Sequence, residues 1–421
     1  MNKTDIVAVN GRDYCWPQTP TVVICCDGSE PAYMDEAMAR TLMPNLERII
    51  AKGTSLSAAS VIPSFTNPNN LSIVTGRPPA VHGICGNYFF DRERGEEVMM
   101  NDPVFLRAPT IFEAFQKAGA RIAVVTAKDK LRLLLGNKLK FDGTAICFSA
   151  EQADRASRTG NGIDNVLGMV AMPLPEVYSL ELSELVFAAG MKLLGRFKPD
   201  LMYLSTTDYI QHKFAPGADG ANAFYAMMDR YLGELDGAGA VIVLTADHGM
   251  KPKHRADGEP DVFYLQDFLD DLLGKDAARV ILPITDPYVV HHGALGSFAT
   301  AYLPDGAKLG EVIARIAAEP GMHEVLGRQD ACARFELPPD RIGDIVVVSR
   351  GTKVIGTSAN RHDLAALTEP LRSHGGLTEQ VVPMIVNRKL KQVPEKLRNF
   401  DAFAIGLNHL ARAGALQETC P

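Results

Sequence analysis

No uninterrupted apolar stretch in this 421-residue chain approaches the roughly 20 residues that a membrane helix needs, so no bilayer span is expected. Positive charge is in deficit. Lys and Arg number 43 against 50 Asp and Glu, and the formal net charge of −7 argues against a nucleic-acid partner. The N-terminal MNKTDIVAVNGRDY has acidic and polar residues where a secretory signal would carry its apolar region, so the expected compartment is the cytoplasm. Cysteine is sparse and odd in number, at seven, with Cys25 and Cys26 adjacent inside an apolar run. Such placement suits buried thiols better than a disulfide framework. No Cys-x-x-Cys pair offers a zinc–thiolate site, so any metal must be held by His and Asp. Low-complexity tracts and fixed-period repeats are also missing.

What remains is the composition of a globular enzyme, 46% hydrophobic and 22% charged. Short β-rich apolar runs alternate with longer stretches of helical period. The runs are TVVICC (Thr21–Cys26), RIAVVT (Arg121–Thr126), LMYLS (Leu201–Ser205) and AVIVLT (Ala240–Thr245). Continuous apolar runs of this length suit strands covered on both faces. Helices are expected over Met43–Gly53, Thr110–Ala118, Ser179–Phe197 and Ala223–Asp236, with Thr110 and Glu113 in capping-box spacing. This rhythm predicts an α/β fold: a doubly wound, mostly parallel central sheet with helices on both faces. Residues 256–365 break the rhythm with SFATAYL, GEVIARIAA and DIVVVS. They are expected to form an inserted smaller α+β cap, leaving 1–255 and 366–421 as the catalytic core.

Each strand candidate is followed by chemistry. TVVICC runs into Asp27; LMYLS leads to Asp208 and His212; AVIVLT leads to Asp247 and His248. Ligands of parallel α/β sheets bind beyond the carboxyl ends of the strands. His374, in RSHGG, adds a donor from far along the chain. Six carboxylate and imidazole groups without thiolates suit zinc, with manganese or iron as alternatives. They exceed the needs of one tetrahedral ion with an open position, so two ions are expected, the usual clamp for phosphoryl transfer. Singly, each residue is more ordinary, a cap or a turn; together, after three strands, they point to a site. The adjacent His291 and His292 fall in the presumed cap and are expected to be non-catalytic. For the nucleophile, Thr66 sits at the start of a helix running to Gly76, where free backbone N–H groups favour an anion. A plain helix cap is the competing role for Thr66, and Ser64 is the competing hydroxyl.

With these residues assembled, the chain resembles the alkaline phosphatase superfamily, in its nucleotide pyrophosphatase/phosphodiesterase-like branch. The resemblance rests on the Asp27 strand end, PSFTNPNN, TGRPPAVHGI, TTDYIQH, TADHGM and SHGG, all in family order. It implies two Zn2+ per chain: one held by Asp27, Asp247, His248 and the nucleophile Thr66, the other by Asp208, His212 and His374. His82 matches a family position and is expected to be structural. Asn87 in GICGNYFFD and the pair Lys128 and Lys130 in TAKDK resemble a subgroup acting on carboxylated phosphonates. The resemblance implies that Asn87 contacts the phosphonyl group and that the lysines take the substrate carboxylate. The expected reaction is hydrolysis of the C–P bond of phosphonoacetate through a phosphothreonine. A carbanion leaves such a bond, and cations placed where its charge develops as an enediolate are the physical requirement. The alternatives are a phosphodiesterase or nucleotide pyrophosphatase of the same superfamily and an inactive metal-dependent binding protein. The expected partner is a small anionic organophosphorus substrate, with a homodimer left open as the assembly.

Overall fold

The computed structural model describes residues 5–284, 295–367 and 369–411. Two sheets matter for the site. Their strands are β1 (Thr21–Cys25), β2 (Thr54–Ala59), β3 (Ile122–Thr126), β4 (Ala145–Ser149), β5 (Leu201–Ser205), β6 (Val241–Thr245), β7 (Arg279–Ile281), β8 (Phe298–Tyr302), β9 (Met322–Gly327), β10 (Ile345–Ser349) and β11 (Val381–Val386). The main sheet has seven strands in the order β2-β11-β6-β1-β5-β3-β4. From β6 to β4 every neighbour is parallel. β11 alone runs against its neighbours β6 and β2. The doubly wound, mostly parallel α/β architecture is therefore as the sequence implies.

Alternation along the strands builds the two faces. Val23, Cys25, Ile122, Val124 and Tyr203 point into one core, shared with Leu71, Phe112, Leu134 and Phe403. Val22, Ile24, Ala123, Val125 and Leu204 point into the other, shared with Leu46, Leu185, Phe224 and Leu232. The helices are accordingly split. Those named below are α1 (Pro44–Lys52), α2 (Thr66–Thr75), α3 (Ile111–Lys117), α4 (Asp129–Leu135), α5 (Leu180–Arg196), α6 (Tyr209–Lys213), α7 (Asp219–Gly237) and α8 (Ala402–Asn408). α2, α3, α4 and α8 cover the first face, and α1, α5 and α7 the second.

α2 is the unusual one, because Asn67 through Thr75 are all buried. Phe65 caps it and Thr66 is its first helical residue. Pro68 is tolerated in the first turn, where backbone N–H groups have no intrahelical partner. Gly76 ends the helix at φ +66°, and a Cβ there would lie 2.1 Å from the Tyr14 hydroxyl oxygen, so no other residue fits.

The second sheet, antiparallel in the order β7-β8-β10-β9, lies within the expected insert. SFATAYL and DIVVVS supply β8 and β10. Its Phe298, Ala299, Val346 and Val348 join the same apolar core as β1 and α2, and Phe298 meets Phe65, the cap of α2, edge to face at 6.2 Å.

Some expectations shift. Thr110 does cap α3, accepting from the Glu113 N–H at 3.0 Å, but the Glu113 carboxylate turns to Lys117 at 2.6 Å instead of closing a capping box. α7 begins at Asp219, ahead of the expected Ala223. Cys25, Cys26, Cys85 and Cys147 are buried free thiols, whereas Cys15 is disulfide-bonded, a departure from the expectation of thiols. No described helix is long and apolar enough to cross a membrane.

Candidate metal centre and active site

β6, β1 and β5 lie side by side and parallel, so the residues that follow them meet at one edge. Asp27 follows β1. Asp208 caps the start of α6, which carries His212 one turn on, and Asp247 and His248 follow β6. All are buried, as is His374, which arrives on the chain before β11.

The donor atoms fall into two overlapping groups suited to a metal ion, Asp208/His212/His374 and Asp27/Asp208/His248, with atoms of each group within 4.8 Å of one another. His212 Nε2 lies 3.0 Å and His374 Nε2 3.7 Å from Asp208 Oδ2. His248 Nε2 lies 3.3 Å from Asp27 Oδ1 and 3.7 Å from Asp247 Oδ2. The structure thus gathers all six expected ligands, and it places Asp208 within reach of both groups. The His248 and His374 rings stack with centroids 3.6 Å apart and planes 7° from parallel.

Each imidazole is aimed by its other nitrogen. Nδ1 of His212 faces the Arg372 carbonyl at 2.9 Å, that of His248 the Gly249 carbonyl at 2.9 Å, and that of His374 the Ser64 carbonyl at 2.8 Å. A carbonyl only accepts, so Nδ1 carries the proton and Nε2 presents a lone pair to the site, the arrangement that orients metal-binding histidines. Burial holds His374 down to about 3 and also lowers His248, keeping both rings neutral.

The carboxylates show what the site requires. Burial pushes Asp27 well above the usual carboxylate range, and the Asp208 and Asp247 charges add to it. Burial likewise raises Asp247 to about 7. Asp208 is the exception: burial would raise it, but the charge that His212 and His374 carry when protonated holds it below the usual range, a pairing that a bound cation would replace once both rings are neutral. Asp27 Oδ1 is buried without a hydrogen-bond partner among the described residues, facing the lone pair of His248 Nε2. Acceptors turned on one another in a dry pocket fit a bound cation.

Thr66 Oγ1 is 3.4 Å from His248 Nε2, and its residue is partly exposed at the edge of this cluster. Ser64 is otherwise engaged. Its hydroxyl donates to the Gly376 carbonyl at 2.9 Å and accepts from the Gly375 N–H at 3.1 Å, tying down the loop that bears His374. Gly375 has φ +120°, and a Cβ there would strike the Phe65 ring at 2.5 Å. His82 is buried, with Nδ1 accepting from the Ile84 N–H and Nε2 bonded to the Ser72 hydroxyl at 2.9 Å, so it braces α2.

The expected substrate residues sit as follows. Asn87 is held through its backbone to Pro283 and Met100, and the adjoining Asn101 meets Asn67, next to Thr66, at 3.4 Å. Lys128 caps α4 beyond β3, on the same edge of the sheet, half-buried with its ammonium 5.1 Å from the Tyr178 ring centre. Tyr178 in turn packs on Tyr209, the residue after Asp208, at 6.1 Å. Lys130 sits in the first turn of α4 and is exposed. His291 and His292 lie outside the described residues.

Several positioning residues carry no motif of their own. Arg372 donates to the Gln211 carbonyl at the end of α6 while its own carbonyl orients His212. Glu379, paired with fully buried Lys253 at 2.8 Å, accepts from the Gly376 N–H, and its carbonyl receives the Gly249 N–H. It therefore ties the His374 loop to the His248 loop.

Residues 21–377 match the type I phosphodiesterase / nucleotide pyrophosphatase family model, and the chain belongs to that family. Within it, the chain is 67% identical to phosphonoacetate hydrolase from Sinorhizobium meliloti 1021, covering 96% of this chain and 98% of that one with a TM-score of 0.93. Crystal structures of that enzyme hold phosphonoformate and phosphonoacetate. Murine ectonucleotide pyrophosphatase/phosphodiesterase 5 shares the fold at 19% identity and a TM-score of 0.62, covering 94% of this chain and 98% of that one. An uncharacterised pyrophosphatase/phosphodiesterase of Schizosaccharomyces pombe is 24% identical over 56% of this chain and 45% of its own length. A venom phosphodiesterase of Macrovipera lebetinus is also 24% identical over 56% of this chain, but over only 26% of its own length. The chain thus spans less than half of these two curated relatives.

Proposed function

We propose that this chain hydrolyses the C–P bond of phosphonoacetate to acetate and phosphate, with Thr66 as nucleophile and two Zn2+ as cofactors. The observation that carries it is the Thr66 hydroxyl at the rim of two buried Asp/His groups, in a chain 67% identical to phosphonoacetate hydrolase. Asp27, Asp247 and His248 would hold one ion beside Thr66, and Asp208, His212 and His374 the other. Bound zinc would lower the pKa of the Thr66 hydroxyl and neutralise charge on the phosphonyl oxygens.

The residues themselves then do the following. Thr66 Oγ, its proton released to water, forms its bond to phosphorus as the C–P bond breaks, and the bonding electrons pass to the methylene carbon and into the substrate carboxylate. Lys128, with Lys130 outside it, supplies positive charge where that enediolate develops; a proton from water completes acetate. Asn87 donates to a phosphonyl oxygen. Water then cleaves the phosphothreonine, releasing phosphate and restoring Thr66. Residues 256–365 would form the inserted cap of this site, a reading supported by their four-stranded sheet, which shares an apolar core with α2.

A phosphate-release panel tests the proposal with zinc-loaded enzyme on phosphonoacetate, phosphonopyruvate, 2-aminoethylphosphonate and bis(p-nitrophenyl) phosphate. Phosphonoacetate should be turned over fastest. Preference for the diester would assign a phosphodiesterase instead, and no turnover of any substrate a metal-binding protein.

A further inference from the structure

Asn70 is fully buried on α2, one turn after Thr66. Its amide nitrogen donates to the Thr66 carbonyl at 3.0 Å and to Asp247 Oδ2 at 3.2 Å. Its carbonyl oxygen accepts from the Tyr203 hydroxyl at 2.7 Å and the Ser205 hydroxyl at 3.0 Å, both on β5. The orientation is forced by chemistry. A backbone carbonyl and a carboxylate carry no proton to donate, so only the NH2 end can face them. All four hydrogen-bonding positions of the amide are filled.

The other oxygen of Asp247 is also fixed, accepting from the Gly28 N–H at 3.2 Å and from the His248 N–H at 3.0 Å. Asn70 completes the set on Oδ2, the oxygen that faces His248 Nε2. One amide therefore joins the backbone of Thr66, the carboxylate of Asp247 and the strand that leads to Asp208. We infer that Asn70 is a positioning residue, setting the place of the Thr66 hydroxyl relative to the Asp27/Asp247/His248 group and aiming Asp247 Oδ2 into it. The role rests on Thr66 and Asp247 having the parts proposed above.

The test compares wild type, Asn70→Asp and Tyr203→Phe in the full chain. Asn70→Asp keeps the shape but turns an acceptor toward Asp247. Tyr203→Phe keeps the amide but releases one of its anchors. Three quantities are measured: zinc affinity by competition with a chromogenic chelator, kcat and KM on phosphonoacetate at saturating zinc, and the unfolding midpoint in chelator. For Asn70→Asp, zinc affinity should fall by roughly 10- to 100-fold. Its kcat should fall on the order of 100-fold, with KM changed less than about threefold. Tyr203→Phe should move kcat and zinc affinity in the same direction by less. A lowered midpoint with zinc affinity and kcat per folded molecule unchanged would make Asn70 merely structural and overturn the inference. If Asn70→Asp fails to fold, Tyr203→Phe decides: unchanged kcat and affinity overturn the inference. A wild type inert toward phosphonoacetate would sink the substrate proposal instead, and the zinc-affinity comparison would still decide the role of Asn70.

Discussion

Lys128 and Lys130 are spaced two apart, yet their surroundings differ. Lys128 is half-buried over Tyr178, whose ring reaches Tyr209 beside Asp208, while Lys130 is exposed in the first turn of α4. A cation in a drier place interacts more strongly with developing charge than one in water. Lys128→Ala should therefore cut phosphonoacetate turnover on the order of 100-fold, a loss typical of removing one transition-state donor. Lys130→Ala should cost less than about threefold, as for a solvated charge. Neither should much affect hydrolysis of p-nitrophenyl phosphate, whose leaving group has no carboxylate. Parallel kinetics on the two substrates check this, and an equal loss on both would move the lysines away from the carboxylate. The six Asp and His donors were legible because each follows a strand or a Ser-His-Gly-Gly turn. Asn70, Tyr178 and Arg372 were not, because their roles arise only when distant segments meet. A signal was available in the run Asn67-Pro68-Asn69-Asn70, three amides close together in a helix buried from Asn67 to Thr75.

At the scale of elements, the loops after β6 and before β11 are joined by a two-residue antiparallel pairing, Lys251–Pro252 with Arg372–Ser373, and by a buried ion pair. Lys253 and Glu379 are both fully buried, and the carboxylate and carbonyl of Glu379 bind one loop each. Although burial would raise Glu379, the Lys253 ammonium holds its carboxyl below the usual range. A depressed folded-state pKa gives stability that is present above the unfolded value, about 4.3. It is lost as pH falls through the folded value. Glu379→Gln leaves the Lys253 charge without its partner and should destabilise by about 3–5 kcal/mol near neutral pH. The gap to wild type should begin to narrow as pH falls below the unfolded value and close as it falls through the depressed folded value, where Glu379 itself becomes neutral. Urea melts across pH measure it; a gap that stays constant into acid would exclude the ion pair as the cause. Strands β1, β3, β5 and β6 were readable as apolar runs. β11 was obscured by Pro383, which sits where pairing with β6 has not yet begun, since that ladder starts at Met384. β2, TSLSAA, is small and polar along the edge of the sheet and carries little periodic signal. β4 is an apolar run of the same kind as the others, and its position at the far edge is set by topology alone.

For the molecule as a whole, alternating strands and helices specify the doubly wound core, and the change of rhythm after residue 255 marks the second sheet. What the rhythm does not disclose is that this sheet shares its apolar core with α2, so that it packs on the same face as the helix bearing Thr66. The site is consequently built from segments between residues 27 and 374 that only the complete fold brings together. The central claim is that this assembly moves a phosphorus group from carbon to Thr66 and then to water. Its most direct test is rapid acid quenching of zinc-loaded enzyme during turnover of phosphonoacetate, followed by peptide mass spectrometry, with Thr66→Ala alongside. The expected result is a phosphoryl group on the peptide containing Thr66, formed fast enough to account for acetate release. Thr66→Ala should show neither the modification nor more than about one-tenth of wild-type turnover, since loss of a nucleophile removes most of the rate. Undiminished turnover in Thr66→Ala, or full-speed turnover by wild type with no phosphoryl group on that peptide at any quench time, would contradict it.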